Sequence, residues 1–233
     1  MEKLTVMGIG AHADPFDMAF LCGGTLAKYA KNGHRVVMAS VCGENQEEGN
    51  RVAAALGAET RYLDYRGGTI INDIELAHKI VDMIREVKPD IVITLQPTCF
   101  TQDHRMVSAA TLNACLKARL DRVNTAHPPF KVGRVYYCDG TAGLNCEVSV
   151  WVDISDIIEI KLNALREHRS LARDTGIISF EAIEHVIERE RNWAASRGDQ
   201  VEVEYAEAFQ PVVHYRIMRA FEYLPGPGVP PRV

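Results

Sequence analysis

Short apolar runs alternate with longer amphipathic stretches along most of this chain, and that alternation restricts the fold more than any other feature. Leu4 to Gly10, His34 to Val41, Arg61 to Leu63, Ile91 to Leu95 and Val135 to Cys138 read as strands. The better ones are rich in Val and Ile and free of interior Pro. Between them, Phe20 to Asn32, Gln46 to Leu56, Ile74 to Val87 and His104 to Leu120 have helical spacing; Ile74, Ala77, Ile80, Val81 and Ile84 fall on one stripe. Gly33 and Gly57 stand where helix stops are expected, and Pro89 closely follows the third helix. The alternation predicts an α/β fold: a Rossmann-like, mostly parallel sheet with helices on both faces.

The last third departs from this pattern. Ser155 is placed to cap a helix from Asp156 to about Arg173. Phe180 to Ser196 reads as a second, strongly charged helix, and Val201 to Tyr205 alternates like an edge strand. The fold expected is therefore the parallel sheet plus C-terminal helices and an edge strand. Residues 225–233 form a Pro/Gly-rich stretch expected to be an extended tail. No internal repeat and no long linker is visible, so residues 1–233 are expected to form a single domain, large enough to build a core without staples.

Composition narrows the partners. The formal charge of −5 argues against nucleic acid and against an anionic membrane surface, since both call for dense Lys and Arg. No run approaches the roughly 18 apolar residues of a membrane span, and the start, Met-Glu-Lys-Leu-Thr-Val, runs straight into a strand pattern without a signal peptide. The six cysteines form no C-x-x-C pair, which fits reduced, buried thiols. A cytoplasmic protein acting on a small molecule is the expectation.

Two segments carry the chemistry. The first strand runs into Ala11-His12-Ala13-Asp14-Pro15-Phe16-Asp17, and the fourth gives way to Gln96-Pro97-Thr98-Cys99-Phe100-Thr101-Gln102-Asp103-His104. Both clusters sit at carboxyl ends of strands that commonly flank the reversal of strand order, where open α/β sheets bind ligands. Imidazole and carboxylate are good zinc ligands, and a catalytic zinc takes three protein ligands and leaves one position open. Two His and one Asp would meet that need, and the remaining carboxylate could take a proton from water. A His–Asp pair in a loop is also a common cap or solvated turn, so spacing alone identifies no reaction.

At these residues the chain resembles the LmbE-like, or PIG-L, family of zinc-dependent N-deacetylases. Ala11-His12-Ala13-Asp14 with Asp17 resembles the family's His-Pro-Asp-Asp signature, Gly23-Gly24-Thr25 its glycine step, and Thr101-Gln102-Asp103-His104 its His-x-Asp-His. The likeness continues through Leu56-Gly57, Leu63-Asp64-Tyr65, Val152-Asp153-Ile154-Ser155, Lys161, Ala164 to Ser170 and Tyr205 to Phe209, in order along nearly the whole chain. It implies His12, Asp17 and His104 as metal ligands, Asp14 as general base, and Zn2+ as the ion, with Fe2+ the other divalent metal to consider. It places Pro15 and Phe16 as an insertion between base and ligand; with His12 and Asp14 as ligands instead, Asp17 would have no role. Homo-oligomeric assembly is also a family trait.

Two departures touch the substrate. Thr101 stands where the family has a histidine that helps stabilise the oxyanion; a hydroxyl donates a hydrogen bond but cannot become cationic. Asn45 stands where the family often has a substrate-anchoring Arg, with Arg51 and Arg66 as alternative anchors. Asp103 reads either as a partner that orients an imidazole or as a helix cap. Cys99 reads as a buried, inert thiol with no base predictable beside it, and His168 as structural or a subunit contact. The resulting expectation is a hydrolase removing an N-acyl (acetyl) group from a small molecule such as an aminosugar conjugate. The alternatives are a metal-dependent hydratase or lyase acting on an unsaturated carboxylate, and a metal-binding homologue that has lost catalysis.

Overall fold

The computed structural model describes residues 3–13, 16–140, 143, 146–168 and 180–212. Five parallel strands form its body: β1 (Thr5–Gly10), β2 (Arg35–Cys42), β3 (Glu59–Tyr65), β4 (Ile91–Thr94) and β5 (Arg134–Cys138). Two more, β6 (Val150–Asp153) and β7 (Ala206–Pro211), extend it antiparallel, with β7 next to β5 and β6 at the edge. The order is β3-β2-β1-β4-β5-β7-β6. β1 and β2 are buried along almost their whole length, which is why they read as continuous apolar runs.

The connections explain the layering. α1 (Asp17–Lys31) and α2 (Gln46–Ala55) carry the chain from β1 to β2 to β3, while α3 (Ile74–Val87) and α4 (Gln102–Lys117) carry it back past β1 through β4 to β5. Right-handed crossovers in opposite directions put the two helix pairs on opposite faces. α1 then packs against α5 (Ile158–Arg166), and α3 against α4. Strand order reverses between β1 and β4, so their carboxyl ends frame a crevice.

The C-terminal third differs in detail from its sequence pattern. Val201 to Tyr205 is a turn, not a strand: the amides of Val201 and Val203 both bond to the Gly198 carbonyl at the end of α6 (Phe180–Asp199), and Glu202 takes φ 59°. The strand comes immediately after, as β7, and it is interior. The edge position belongs to β6. Ser155 does not cap α5; its hydroxyl donates to Asp153 Oδ1 at 2.6 Å, and the helix starts at Ile158. Residues 169–173 of the expected helix and the 225–233 tail lie outside the described residues. No two of the six cysteines are joined, and among the described residues no helix is long and apolar enough to cross a membrane.

α1 is two helical pieces in one, because Cys22 leaves helical geometry at φ −150°, ψ 20°. The second piece therefore starts with unbonded amides, and a buried carboxylate from β7 caps them. Glu207 accepts from Gly24 N at 2.9 Å and Thr25 N at 2.7 Å, and receives Lys161 Nζ at 2.9 Å. An anion at a helix N-terminus satisfies orphan donors and the local dipole together. Gly24 makes room for this: a Cβ there would lie 2.8 Å from Ile154 Cδ1 and 3.1 Å from Glu207 Oε1. The glycine step is a close-packing device, in line with its lack of a G-x-G-x-x-G spacing.

Candidate metal centre

Past β1 the chain makes a tight turn into α1. The Asp17 amide bonds to the His12 carbonyl at 3.3 Å, and Ala13 bridges to Phe16. The Asp17 side chain folds back on the turn it closes: Oδ2 accepts the amides of Ala11 and His12, both at 2.8 Å. Gly10 permits this, since a Cβ there would stand 3.1 Å from Asp17 Cβ. With Oδ2 committed to the backbone, Oδ1 remains for other partners. His104, in the first turn of α4, brings Nε2 to 3.2 Å from it, and His12 brings Nδ1 to 3.5 Å. The two rings sit 5.3 Å apart, and the three donor atoms lie within 4.8 Å of one another. His12, Asp17 and His104, distant in sequence, are thus brought together.

The electrostatics follow from this crowding. Burial would raise the Asp17 pKa, but hydrogen bonds from His104 and His12 and their charges outweigh it and hold the carboxyl well below the usual range. Burial disfavours charge on His104, yet the hydrogen bonds to Asp17 and Cys99 push its pKa up to about 10. His12 is raised in the same way, against burial, by Asp17 and Asp103. One carboxylate oxygen thus holds two imidazoles in reach of protonation. A divalent cation would do the work of those two protons, and a buried ionised carboxylate with two nitrogens facing one spot is a donor set that fits zinc.

A ring around the three residues fixes their orientation. His12 Nε2 lies 3.1 Å from Asp103 Oδ2, which also accepts the Gly68 amide at 2.6 Å. Asp103 therefore orients His12 and not its sequence neighbour, in the manner of a carboxylate behind a ligating histidine. Asp103 is buried, and its Oδ1 has no hydrogen-bond partner among the described residues. Behind His104, Cys99 Sγ lies 3.3 Å from Nδ1. Contrary to expectation, Cys99 does have an imidazole beside it. Burial raises the thiol pKa, but the bond to His104 outweighs this and lowers it. His12 and Asp103 also stand near Cys42. Burial and the Glu44, Asp103 and Asp17 charges push that thiol up to about 12, so it is the poorer donor.

The other expected residues fall in different places. Asp14 lies outside the described residues. Thr101 is the N-cap residue of α4, half-buried, and its amide and hydroxyl help to lower the Cys99 thiol pKa. Asn45 is the N-cap residue of α2, in left-handed backbone geometry at φ 51°. Arg51, farther along α2, bonds Glu47 at 2.9 Å and lies 3.7 Å from Glu167. Arg66 is exposed in the loop after β3, beside Gly67, whose amide bonds Glu44 Oε1 at 3.1 Å, and Gly68, which reaches Asp103. The sequence reading missed Glu44 and the Gly67-Gly68 pair; the adjacent glycines after a strand were the available signal. His168 is fully buried within the chain, between Phe16, Phe20 and Glu48.

A doubly wound α/β sheet gathers two imidazoles and a carboxylate at its switch point, the place where open α/β sheets bind ligands. Residues 7–115 match the family described as PIG-L, GlcNAc-PI de-N-acetylase. It is 29% identical over 193 residues to diacetylchitobiose deacetylase from Thermococcus kodakarensis, an alignment covering 71% of this chain and 69% of that protein. The fold is shared with the conserved protein TT1542 from Thermus thermophilus, at TM-score 0.78 and 22% identity over 93% of this chain and 100% of that one. It is shared also with the 4-carboxy-2-hydroxymuconate hydratase GalB from Pseudomonas putida, at TM-score 0.77 and 19% identity over 96% and 100%. N,N'-diacetylchitobiose deacetylase from Pyrococcus horikoshii matches at TM-score 0.76 and 21% identity over 91% and 84%.

Proposed function

We propose that this protein is a metal-dependent amidohydrolase that removes an acetyl group from the nitrogen of a small molecule, of the aminosugar-conjugate class, in the cytoplasm. The observation that carries the reading is the convergence of His12, Asp17 and His104, with donor atoms within 4.8 Å of one another. The deacetylase from Thermococcus kodakarensis, similar over most of its length, supports the reaction class. Those three residues would hold Zn2+, or Fe2+ in its place. When bound, the ion supplies Lewis acidity to an acyl carbonyl and to water.

The chain's own residues supply the rest. Asp17 faces the centre with one oxygen because the backbone holds the other, and Asp103 fixes the ring of His12. Asp14, two positions after His12 in the sequence, takes a proton from the attacking water and hands it to the leaving amine. Thr101, at the family's oxyanion position, donates its hydroxyl to the charge developing on the carbonyl oxygen. Asn45, Arg51 and Arg66 are the groups proposed to meet the rest of the substrate.

The test combines metal analysis with turnover. The parent protein is expected to carry one divalent ion per chain and to release acetate from an N-acetylated substrate; Asp14→Asn should keep the ion and lose turnover. An Asn variant working at the parental rate would remove Asp14 from the mechanism. A second reading, hydration of an unsaturated carboxylate, is favoured by Thr101, because hydration does not need a cationic amide-oxyanion donor at that position. Loss of enoate absorbance without acetate release would decide for it.

A further inference from the structure

The turn between β1 and α1 carries Asp17, and a side chain from much later in the chain grips it. His168 follows α5 and lies outside the 7–115 stretch that matches the family. It is fully buried. Its Nε2 accepts the Phe16 amide at 3.2 Å, its Nδ1 lies 3.1 Å from Glu48 Oε1 on α2, and its ring stacks on Phe20 with centroids 5.6 Å apart. An amide only donates, so Nε2 must present its lone pair to Phe16. The ring proton then sits on Nδ1 and is donated to the Glu48 carboxylate.

Phe16 is the residue before Asp17 and the N-cap position of α1, where no side-chain cap forms. It is fully buried, bridges to Ala13 across the turn, and accepts the Ala19 amide at 2.9 Å through its carbonyl. Its own amide would be a buried donor without a partner if His168 did not accept it, a costly arrangement. The bond therefore anchors the backbone at the Phe16 nitrogen, one residue before Asp17, and with it the direction from which that carboxylate approaches His104.

We infer that His168 is a positioning residue for the metal centre, locking the β1–α1 turn through a Glu48–His168–Phe16 chain of hydrogen bonds so that Asp17 presents Oδ1 to the two imidazoles. The inference rests on His12, Asp17 and His104 being the ligands. A residue serving stability alone would leave the affinity of the folded protein for metal untouched; a positioning residue would not.

The experiment measures Zn2+ affinity by chelator competition, with unfolding midpoints of the metal-free forms recorded beside it. His168→Leu, which cannot accept the Phe16 amide, is expected to bind about 10- to 100-fold more weakly, the range for removing a ligand's outer support. His168→Gln places a carbonyl oxygen near the site of Nε2 and should stay within about threefold of the parent, whatever its stability. A folded Leu variant with parental affinity would overturn the inference. His104→Ala is the control: parental binding there would mean that the ligand reading itself is wrong. Should the Leu variant fail to fold, nitrogen NMR of the parent imidazoles decides. A His168 protonated on Nδ1 alone upholds the inference, and one protonated on Nε2 overturns it.

Discussion

Oδ1 of Asp17 lies 3.2 Å from Nε2 of His104, joining the turn after the first strand to the helix after the fourth. Without a metal this contact is an ion pair, and its titration has a sign. His104 is raised from an ordinary 6.5 to about 10, so the charged imidazolium stabilises the folded protein fully below 6.5 and progressively loses that effect as pH rises through about 10. Asp17, depressed, contributes above its ordinary value and loses its effect only under strong acid. The metal-free protein should therefore weaken between pH 7 and 10 in denaturant titrations. A metal must displace the His104 proton, so its apparent affinity should climb about tenfold per pH unit over that window for each proton released. A flat affinity from pH 7 to 10 would show that His104 does not ligate.

Asp103→Asn tests the carboxylate behind His12. The variant keeps volume but replaces a charged acceptor that serves both His12 and the Gly68 amide. Metal affinity should fall about 10- to 100-fold. Gly68 loses a charge-assisted bond as well, so its amide should exchange faster with solvent. Unchanged affinity would assign Asp103 to capping and loop closure alone.

How much of this was legible in the sequence depends on the range of the signal. The better-buried parallel strands announced themselves through Val/Ile runs and the helices through spacing such as the stripe of Ile74, Ala77, Ile80, Val81 and Ile84, because burial is written into local composition, whereas β3, without Val or Ile, showed only as Arg61 to Leu63. His12, Asp17 and His104 were legible as chemistry at strand ends. What was not legible was partner choice across the fold: that Asp103 would serve His12, or that Glu207 would cap Gly24 and Thr25. The misplaced strand has the same cause. Ala206–Pro211 carries Glu207, Gln210 and Pro211 inside the sheet and so lacks an apolar pattern, whereas Val201 to Tyr205 alternates without pairing. A buried charge with a remote partner looks like a surface residue until its partner is known.

Thr101→Val probes the departure from the family pattern. Valine keeps the shape and the N-cap backbone but cannot donate. If the hydroxyl meets the developing oxyanion, kcat should fall by about 10²–10³ with KM little changed, because the interaction strengthens only in the transition state. The metal content should stay at the parental level. An equal rise in KM with kcat unchanged would make Thr101 a ground-state contact instead.

Glu207→Ala should be the most damaging single truncation outside the centre. Glu207 and Lys161 are both about 4% exposed, and the carboxylate also holds the amides of Gly24 and Thr25 where α1 breaks at Cys22. Burial disfavours the Lys161 charge, but Glu207 outweighs it and raises its pKa; without Glu207 that cation is left buried and unpaired. Breaking such a pair from one side costs about 3–5 kcal/mol, and the two orphaned amides add to it. Replacing both partners, Lys161→Met with Glu207→Gln, should recover much of the loss, since the glutamine oxygen still accepts one amide and no charge is stranded. Denaturant unfolding of the parent and the two variants measures this. A single Glu207→Ala change costing under about 1 kcal/mol would mean that water reaches the pair and that the break in α1 is held by packing alone.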